Sequence, residues 1–519
     1  MSNWPKYPFI YEISTWVWLG GLSKNFQRTV DLGSVPSEEW DRIANLGFDA
    51  VWLMGVWERS PAGIAIANRN SNLLNDFRRA LPDFQPKDNV GSPYCVRRYV
   101  VDRVLGGTAG LAVARQELAK RGIRLILDWV PNHVAPDHPW ALDHPEYFIA
   151  GTADDLRDPA SYIAIGDNIF ACGRDPYFPA WPDVLQLNAF QPGLRKAVVE
   201  TAAGIADQCD GVRCDMAMLV LNNIFQRTWG AKAGAMPGTE YWEELIPATK
   251  AAHPDFVFIA EAYWDLEWEL QQKGFDFCYD KRLYDRVVHE NAESVRGHLN
   301  ADVNYQGRLL RFIENHDEPR AAAEFIAGKD RAAAVLTATL PGARLFYDGQ
   351  FEGRKVRLPV FLSRLPDEPL NRSLQEFYEE LLASLRGPLL REGSWRLCPC
   401  SGWPDNLSYQ NLLAWCWESS NERRLVVINL SSNTVQGRVQ VPWSDLANLQ
   451  WTLSDPLANV EYVRDGSEMM SPGLYVELGG WGYNCFIVQR QGSAAQLDPD
   501  TRPETSAVSL THSGKTAAA

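Results

Sequence analysis

The sequence has no run of about 18 apolar residues, the length that crosses a bilayer, so no membrane-spanning helix is expected. Its opening residues, MSNWPKYPFIYEIS, contain no extended apolar core of the kind that marks a secretory leader, and a cytoplasmic protein is expected. Positive charge is in deficit. The 50 Lys and Arg stand against 65 Asp and Glu, a formal net charge of −15. Such a surface repels phosphate backbones, which argues against a nucleic-acid partner. The 9 cysteines are scattered from Cys95 to Cys485. Only Cys398 and Cys400 lie close together, and their spacing matches no zinc pattern, so free thiols are expected. No internal repeat is present, which leaves out a repeat architecture.

What remains is a long, ordinary globular composition: 519 residues, 46% of them hydrophobic. That length exceeds one core, and two or three domains are expected. The 20 tryptophans are a high count. Their flat faces suit sugar or ring binding as well as core packing.

Up to about residue 390, short apolar runs alternate with amphipathic stretches. FIYEISTWVW, FDAVWLMGVW, IRLILDWV, GVRCD, FVFIAE, FDFCYD, LLRFIE and ARLFYD read as strands, with helices such as 108–122, closed by Gly122, between them. Alternation at this length predicts an α/β fold, a parallel (β/α)8 TIM barrel, with a doubly wound sheet as the alternative. Residues 134–191 break the rhythm with an aromatic, Asp/Pro-rich segment, read as a short inserted domain after strand 3. After residue 392 the helical signal fades, and 392–491 read as a C-terminal all-β sandwich. The barrel is therefore assigned to 1–133 and 192–391. Residues 492–519, rich in Ser, Thr, Ala and Pro, read as a disordered tail.

Polar residues collect at strand ends, where a barrel of this kind carries its chemistry. Strand 3 supplies Asp128, Asn132 and His133; strand 4 supplies Arg213 and Asp215; strand 5 supplies Glu261; strand 7 supplies Asn315, His316 and Asp317. Each has a plain structural alternative: a turn residue, an ion pair, a solvated end. Four such sets in order make that alternative poor. Two acids at one mouth can divide acid–base work when their surroundings keep one ionised and the other protonated. Arg213 beside Asp215 would favour the ionised form, and the apolar setting of Glu261 the protonated one.

The D-x-x-x-N-H, x-R-x-D, strand-terminal Glu and N-H-D stretches together resemble the ordered motifs of the α-amylase family of glycoside hydrolases (family 13), over roughly residues 8–490. The resemblance implies Asp215 as nucleophile, Glu261 as general acid/base and Asp317 as the carboxylate that binds the sugar and stabilises the transition state. It implies Tyr94, Asp128, His133, Arg213 and His316 as substrate-binding residues, and Asn132 as a ligand of a structural calcium ion. No cofactor is implied for catalysis.

The chain also departs from the family. Cys95 follows Tyr94 where exo-acting members often carry an aspartate. Met218 and Leu219 replace a Lys-His pair that grips the leaving-group side, and their apolar wall would suit a small leaving group or an unusual acceptor. Gln186 stands for an aspartate in the insertion, and Gln350 for a glutamate after strand 8. The expected function is a retaining α-glycoside hydrolase acting on small α-glucosides or short α-glucans. Maltooligosaccharides, sucrose, trehalose and glucosyl-polyols all remain open as substrates. The alternatives are a transglycosylase that uses sugar, polyol or phosphate acceptors, and a non-catalytic carbohydrate-binding relative.

Overall fold

The computed structural model describes residues 4–492; the tail expected after residue 492 lies outside the described residues. Eight strands close into a parallel barrel: β1 (Phe9–Ser14), β2 (Ala50–Met54), β3 (Arg124–Trp129), β4 (Gly211–Cys214), β5 (Val257–Ala260), β6 (Phe277–Tyr279), β7 (Leu309–Arg311) and β8 (Ala343–Tyr347). Each pairs with its neighbour in sequence, and β1 closes on β8.

Side chains alternate across each strand. Ile10, Ile126 and Ile259 fill the barrel interior with Trp52, Phe277, Tyr279, Leu310 and Leu345. Tyr11, Leu127 and Phe258 turn outward to the surrounding helices. Two residues beyond the inward isoleucines stand Glu12, Asp128 and Glu261. The same alternation therefore carries three buried carboxyl groups to the barrel mouth.

The apolar run FIYEISTWVW divides in two. The strand ends at Ser14, and a helix spans Thr15–Phe26. Thr15, Trp18, Leu19 and Leu22 are buried, the i, i+3, i+4, i+7 spacing of a helical face, which a contiguous apolar run conceals. At the end of β2 the chain turns through Gly55 at φ +77°, and Trp57–Arg59 pairs with Val96–Val101 outside the barrel. A Cβ on Gly55 would stand 2.6 Å from Arg59 Nη2.

The insertion after β3 forms a four-stranded antiparallel sheet from His133–Val134, Tyr162–Ile165, Asn168–Gly173 and Trp181–Gln186. The C-terminal region stacks a six-stranded sheet on a three-stranded one. Leu412, Ala414 and Cys416 face the smaller sheet, and Leu413, Trp415 and Trp417 face the barrel's helices. Trp417 Nε1 donates to Thr339 O at 2.7 Å, tying this sheet to the buried helix Lys329–Thr339. All nine cysteines are unpaired. No helix among the described residues is long and apolar enough to cross a membrane.

Candidate active site

Arg213, 1% exposed, is the hub of the barrel mouth. Its guanidinium lies 5.1 Å from the ring centroid of Tyr94, 5.5 Å from Trp52 and 5.6 Å from Tyr279. Nη1 donates to Asp215 Oδ1 at 2.8 Å, and Nε donates to the Tyr279 hydroxyl at 3.2 Å. Nη2 stands 2.8 Å from Glu261 Oε2, an ion-pair contact not aligned as a hydrogen bond. Asp128 Oδ1 and Asp317 Oδ2 each lie 3.9 Å from the same guanidinium.

Burial raises both central carboxyl groups, and Arg213 opposes the rise in each. Asp215 reaches about 6, held lower by the hydrogen bond it takes from Arg213. Glu261 reaches about 7, where the charges of Asp215 and Asp317 add to burial. Near neutrality Asp215 ionises before Glu261, the order a nucleophile and a proton donor need. Glu261 Oε2 accepts from Met216 N at 2.6 Å, and Oε1 from the Tyr263 hydroxyl at 3.1 Å. Met216 adopts a left-handed backbone, φ +42°, directly after Asp215. A non-glycine residue there costs roughly 1–3 kcal/mol, and the turn aims its N–H at Glu261.

His316 bridges two acids. Nδ1 meets Glu12 Oε1 at 2.5 Å, and Nε2 meets Asp317 Oδ2 at 2.8 Å and the Tyr94 hydroxyl at 2.6 Å. Burial disfavours its charge, but the two carboxylates overcome this and hold the imidazole protonated well above its ordinary range. Burial also pushes Asp317 up, and His316 reverses the shift to about 2. Glu12 was not foreseen: one acid inside an apolar strand gives no motif, and only the two-residue offset from Ile10 marks it.

An open cleft of about 370 Å3 lies over this layer, lined by Asp215, Glu261, Asp317, Tyr94, His133, Ser92, Trp181, Asp183, Val184, Met216, Tyr263 and Phe361. All three expected catalytic carboxyls and two of the expected substrate-binding residues, Tyr94 and His133, face it. Burial holds His133 down at about 4, hence neutral near pH 7. Asp128, Arg213 and His316, expected against the substrate, lie one layer beneath, at most 2% exposed. Their contacts are with the carboxyl groups, with the Tyr94 and Tyr279 hydroxyls and with backbone; Asp128 Oδ2 accepts from Gly55 N at 3.0 Å.

Asn132 does not fit the calcium expected of it. Gln186 Nε2 donates to Asn132 O at 2.9 Å, Asn132 Oδ1 at 2.8 Å and Leu187 O at 3.0 Å. Three oxygens that a cation would need converge instead on an amide N–H2, and the residue that would bring negative charge is a neutral glutamine.

Met218 and Leu219 do not form the expected apolar wall. They are 0% and 3% exposed, part of the core beneath the cleft. The left-handed turn at Met216 presents that residue to the cleft instead. Gln350 is a core residue: its Nε2 donates to the Tyr378 hydroxyl at 2.9 Å, and its Oε1 accepts from Tyr347 N at 3.2 Å.

Past Trp181, Met216 and Tyr263 the cleft opens into an annex of about 800 Å3 bounded by Phe178, Trp264, Glu267, Lys281, Arg282 and Asp285. Lys281 pairs with Asp285 at 2.5 Å and Glu318 at 3.3 Å, and Arg282 pairs with Asp265. Both cations are thus neutralised by carboxylates, and Phe178, Trp181, Tyr263 and Trp264 give the annex its aromatic lining.

A parallel barrel with acids clamped on one arginine at its mouth has the site layout of a glycoside hydrolase. The catalytic-domain model of the α-amylase family (Alpha amylase, catalytic domain) matches residues 31–356, and the chain belongs to that family. It is 24% identical over 389 residues to alpha-amylase MalA of Haloarcula japonica, covering 73% of this chain and 49% of that protein. It is 23% identical over 454 residues to an alpha-1,4-glucan:maltose-1-phosphate maltosyltransferase of Picrophilus torridus, covering 82% and 63%. The chain thus spans about half to under two-thirds of the length of these curated relatives. Among solved structures, an α-amylase from Geobacillus thermoleovorans complexed with acarbose superposes with TM-score 0.65 at 18% identity, over 94% of this chain and 99% of that one.

Proposed function

We propose that this protein is a retaining α-glycoside hydrolase acting on α-glucosidic bonds of short α-glucans or small α-glucosides. The observation that carries the reading is the shared clamp: Arg213 holds Asp215 by an aligned hydrogen bond and touches Glu261 without one. The aligned hydrogen bond favours the ionised form of Asp215, while the charges of Asp215 and Asp317 add to burial in favouring the protonated form of Glu261.

In the first step an Asp215 oxygen attacks the anomeric carbon. The glycosidic C–O bond breaks, and the Glu261 proton passes to the departing oxygen. In the second step Glu261 takes a proton from water, the water oxygen attacks the anomeric carbon, and the bond to Asp215 breaks. Two inversions keep the α configuration. Asp317, held ionised by His316, stabilises positive charge at the anomeric carbon between the steps.

The annex favours a second reading for the same intermediate. A sugar seated beyond Met216 and Tyr263 would stand where water must otherwise attack, giving transfer. Relatives named as hydrolases and as maltosyltransferases are consistent with both outcomes. Anomeric NMR on a panel of α-glucosides, including maltotriose, sucrose and trehalose, tests the proposal. Products of α configuration are expected, with longer oligosaccharides appearing at high substrate if transfer competes. Initial products of β configuration would sink the retaining mechanism.

A further inference from the structure

Among the acids of the cleft, Asp183 alone has no role in the mechanism above. It sits on the inserted strand Trp181–Gln186 and lines the cleft beside Trp181, His133 and Ser92. Among the described residues no cation pairs with its carboxylate and no other residue donates a hydrogen bond to it; its own backbone N–H is the sole donor. The strand position is itself secured. Cys95 Sγ donates to the Asp183 carbonyl at 3.1 Å, so the cysteine beside Tyr94 anchors the strand that supplies this acid. Trp181 packs against His133 with ring centroids 5.3 Å apart.

A half-buried carboxylate with no donor beyond its own backbone N–H is costly unless something in the cleft donates to it. With the cleft open, water serves. When a ligand displaces that water, only the ligand can replace its hydrogen bonds. An indole beside a carboxylate matches the two surfaces of a pyranose, an apolar C–H face and an edge of hydroxyl donors. A phosphate or carboxylate group on the ligand would instead meet an uncompensated negative charge.

We propose that Asp183 is a specificity-determining binding residue: it accepts hydrogen bonds from the hydroxyls of an uncharged sugar unit seated against Trp181 and His133. The proposal rests on the reading of the cleft as an α-glycosidase site. It takes the carboxylate for sugar hydroxyls from the inserted sheet rather than from the position after Tyr94, where Cys95 stands. Burial raises the Asp183 carboxyl above its ordinary range, in keeping with a group whose one donor in the protein is its own backbone N–H.

The test measures maltotriose binding by calorimetry in the catalytically silent Asp215→Asn background, with and without Asp183→Ala or Asp183→Asn. Hydrolysis of maltotriose is followed in parallel in the protein with native Asp215. Loss of a hydrogen bond to a charged acceptor predicts binding weakened roughly 10- to 100-fold by Asp183→Ala, with part of the loss restored by Asp183→Asn. Because the carboxylate is unpaired, both variants are expected to melt at or above the parent's temperature. A mono-deoxy maltotriose that binds the parent weakly should bind the Asp183→Ala form no worse than maltotriose does.

Unchanged binding in both variants overturns the proposal while wild-type hydrolysis leaves the glycosidase reading intact. Binding that depends on Asp183 without hydrolysis supports the proposal and overturns that reading. Absence of sugar binding in the parent, or a melting temperature lowered by both variants, overturns the proposal.

Discussion

Arg213 Nη1 donates to Asp215 Oδ1 at 2.8 Å from a position two residues away on the same side of the chain. The pair resembles an ordinary ion bridge closing a strand, but the second nitrogen of the guanidinium touches Glu261 at the same 2.8 Å. One buried cation therefore opposes the effect of burial on two acids, to which the proposed mechanism gives opposite tasks. The three aromatic rings around it keep water away from the contact, where Coulombic terms are strongest.

Activity is expected within a narrow pH band. Asp215 must be ionised, so kcat/KM rises as pH climbs through about 6. Glu261 must be protonated, so kcat/KM falls as pH climbs through about 7. The bell between these limbs is read from initial rates on maltotriose. A flat profile from pH 5 to about 9 would contradict the assignment of these two acids.

Asp215→Asn removes the proposed nucleophile but keeps the shape and one acceptor for Arg213. A loss of at least roughly 1,000-fold in kcat is expected, with the melting temperature within a few degrees of wild type. Wild-type-like turnover would sink the mechanism.

Arg213→Met takes away the opposing charge and leaves Asp215 and Glu261 buried without it. Both acids then rise further, and the whole bell moves to higher pH. The loss of kcat at the optimum is expected to reach at least about 100-fold. Stability falls by roughly 3–5 kcal/mol near neutral pH, because breaking a buried pair strands its partners. Urea titration alongside the pH profile separates the two effects. A bell displaced to lower pH would contradict the clamp.

The barrel and its acids were readable for one reason: Asp128, Arg213, Asp215 and Glu261 each end or follow an apolar strand, and the period-2 pattern puts them on the inner side. The parts that were not readable lack such a period. Glu12 is a single acid with no partner in sequence. Asp183 lies on an inserted strand whose inner face is defined only by the barrel it covers. Met218 and Leu219 match the positions of gripping residues, but the backbone twist at Met216 decides which residue reaches the cleft, and motif spacing carries no φ angle. The helix from Thr15 hides in an apolar run because burial on several sides erases the polar stripe that would mark it.

Glu267 provides a test of burial on stability. It is 3% exposed, with Oε1 lacking a partner, and burial raises its carboxyl from the ordinary 4.5 to about 7. A folded state that holds this proton more tightly than the unfolded one loses stability as pH rises from 4.5 to 7, up to roughly 3 kcal/mol. Glu267→Gln removes that penalty. The stability of the variant relative to wild type should therefore grow between these limits and level off above them. A difference independent of pH would exclude Glu267 as the titrating group.

The Asn132–Gln186 contact makes a prediction about calcium. Asn132 O, Asn132 Oδ1 and Leu187 O all accept from Gln186 Nε2, so the protein already fills the place a cation would take. Chelation by EDTA is expected to shift the melting temperature by less than about 1 °C, since a ligand that binds only the native state is what couples its concentration to stability. Gln186→Glu, equal in length, exchanges the donor for a charged oxygen and turns four oxygens toward one point. That variant should be less stable than wild type in EDTA and should recover with millimolar calcium, as a hard cation replaces the lost N–H. A wild-type protein that melts several degrees lower in EDTA and is restored by calcium would show that these oxygens, or others, hold the ion after all.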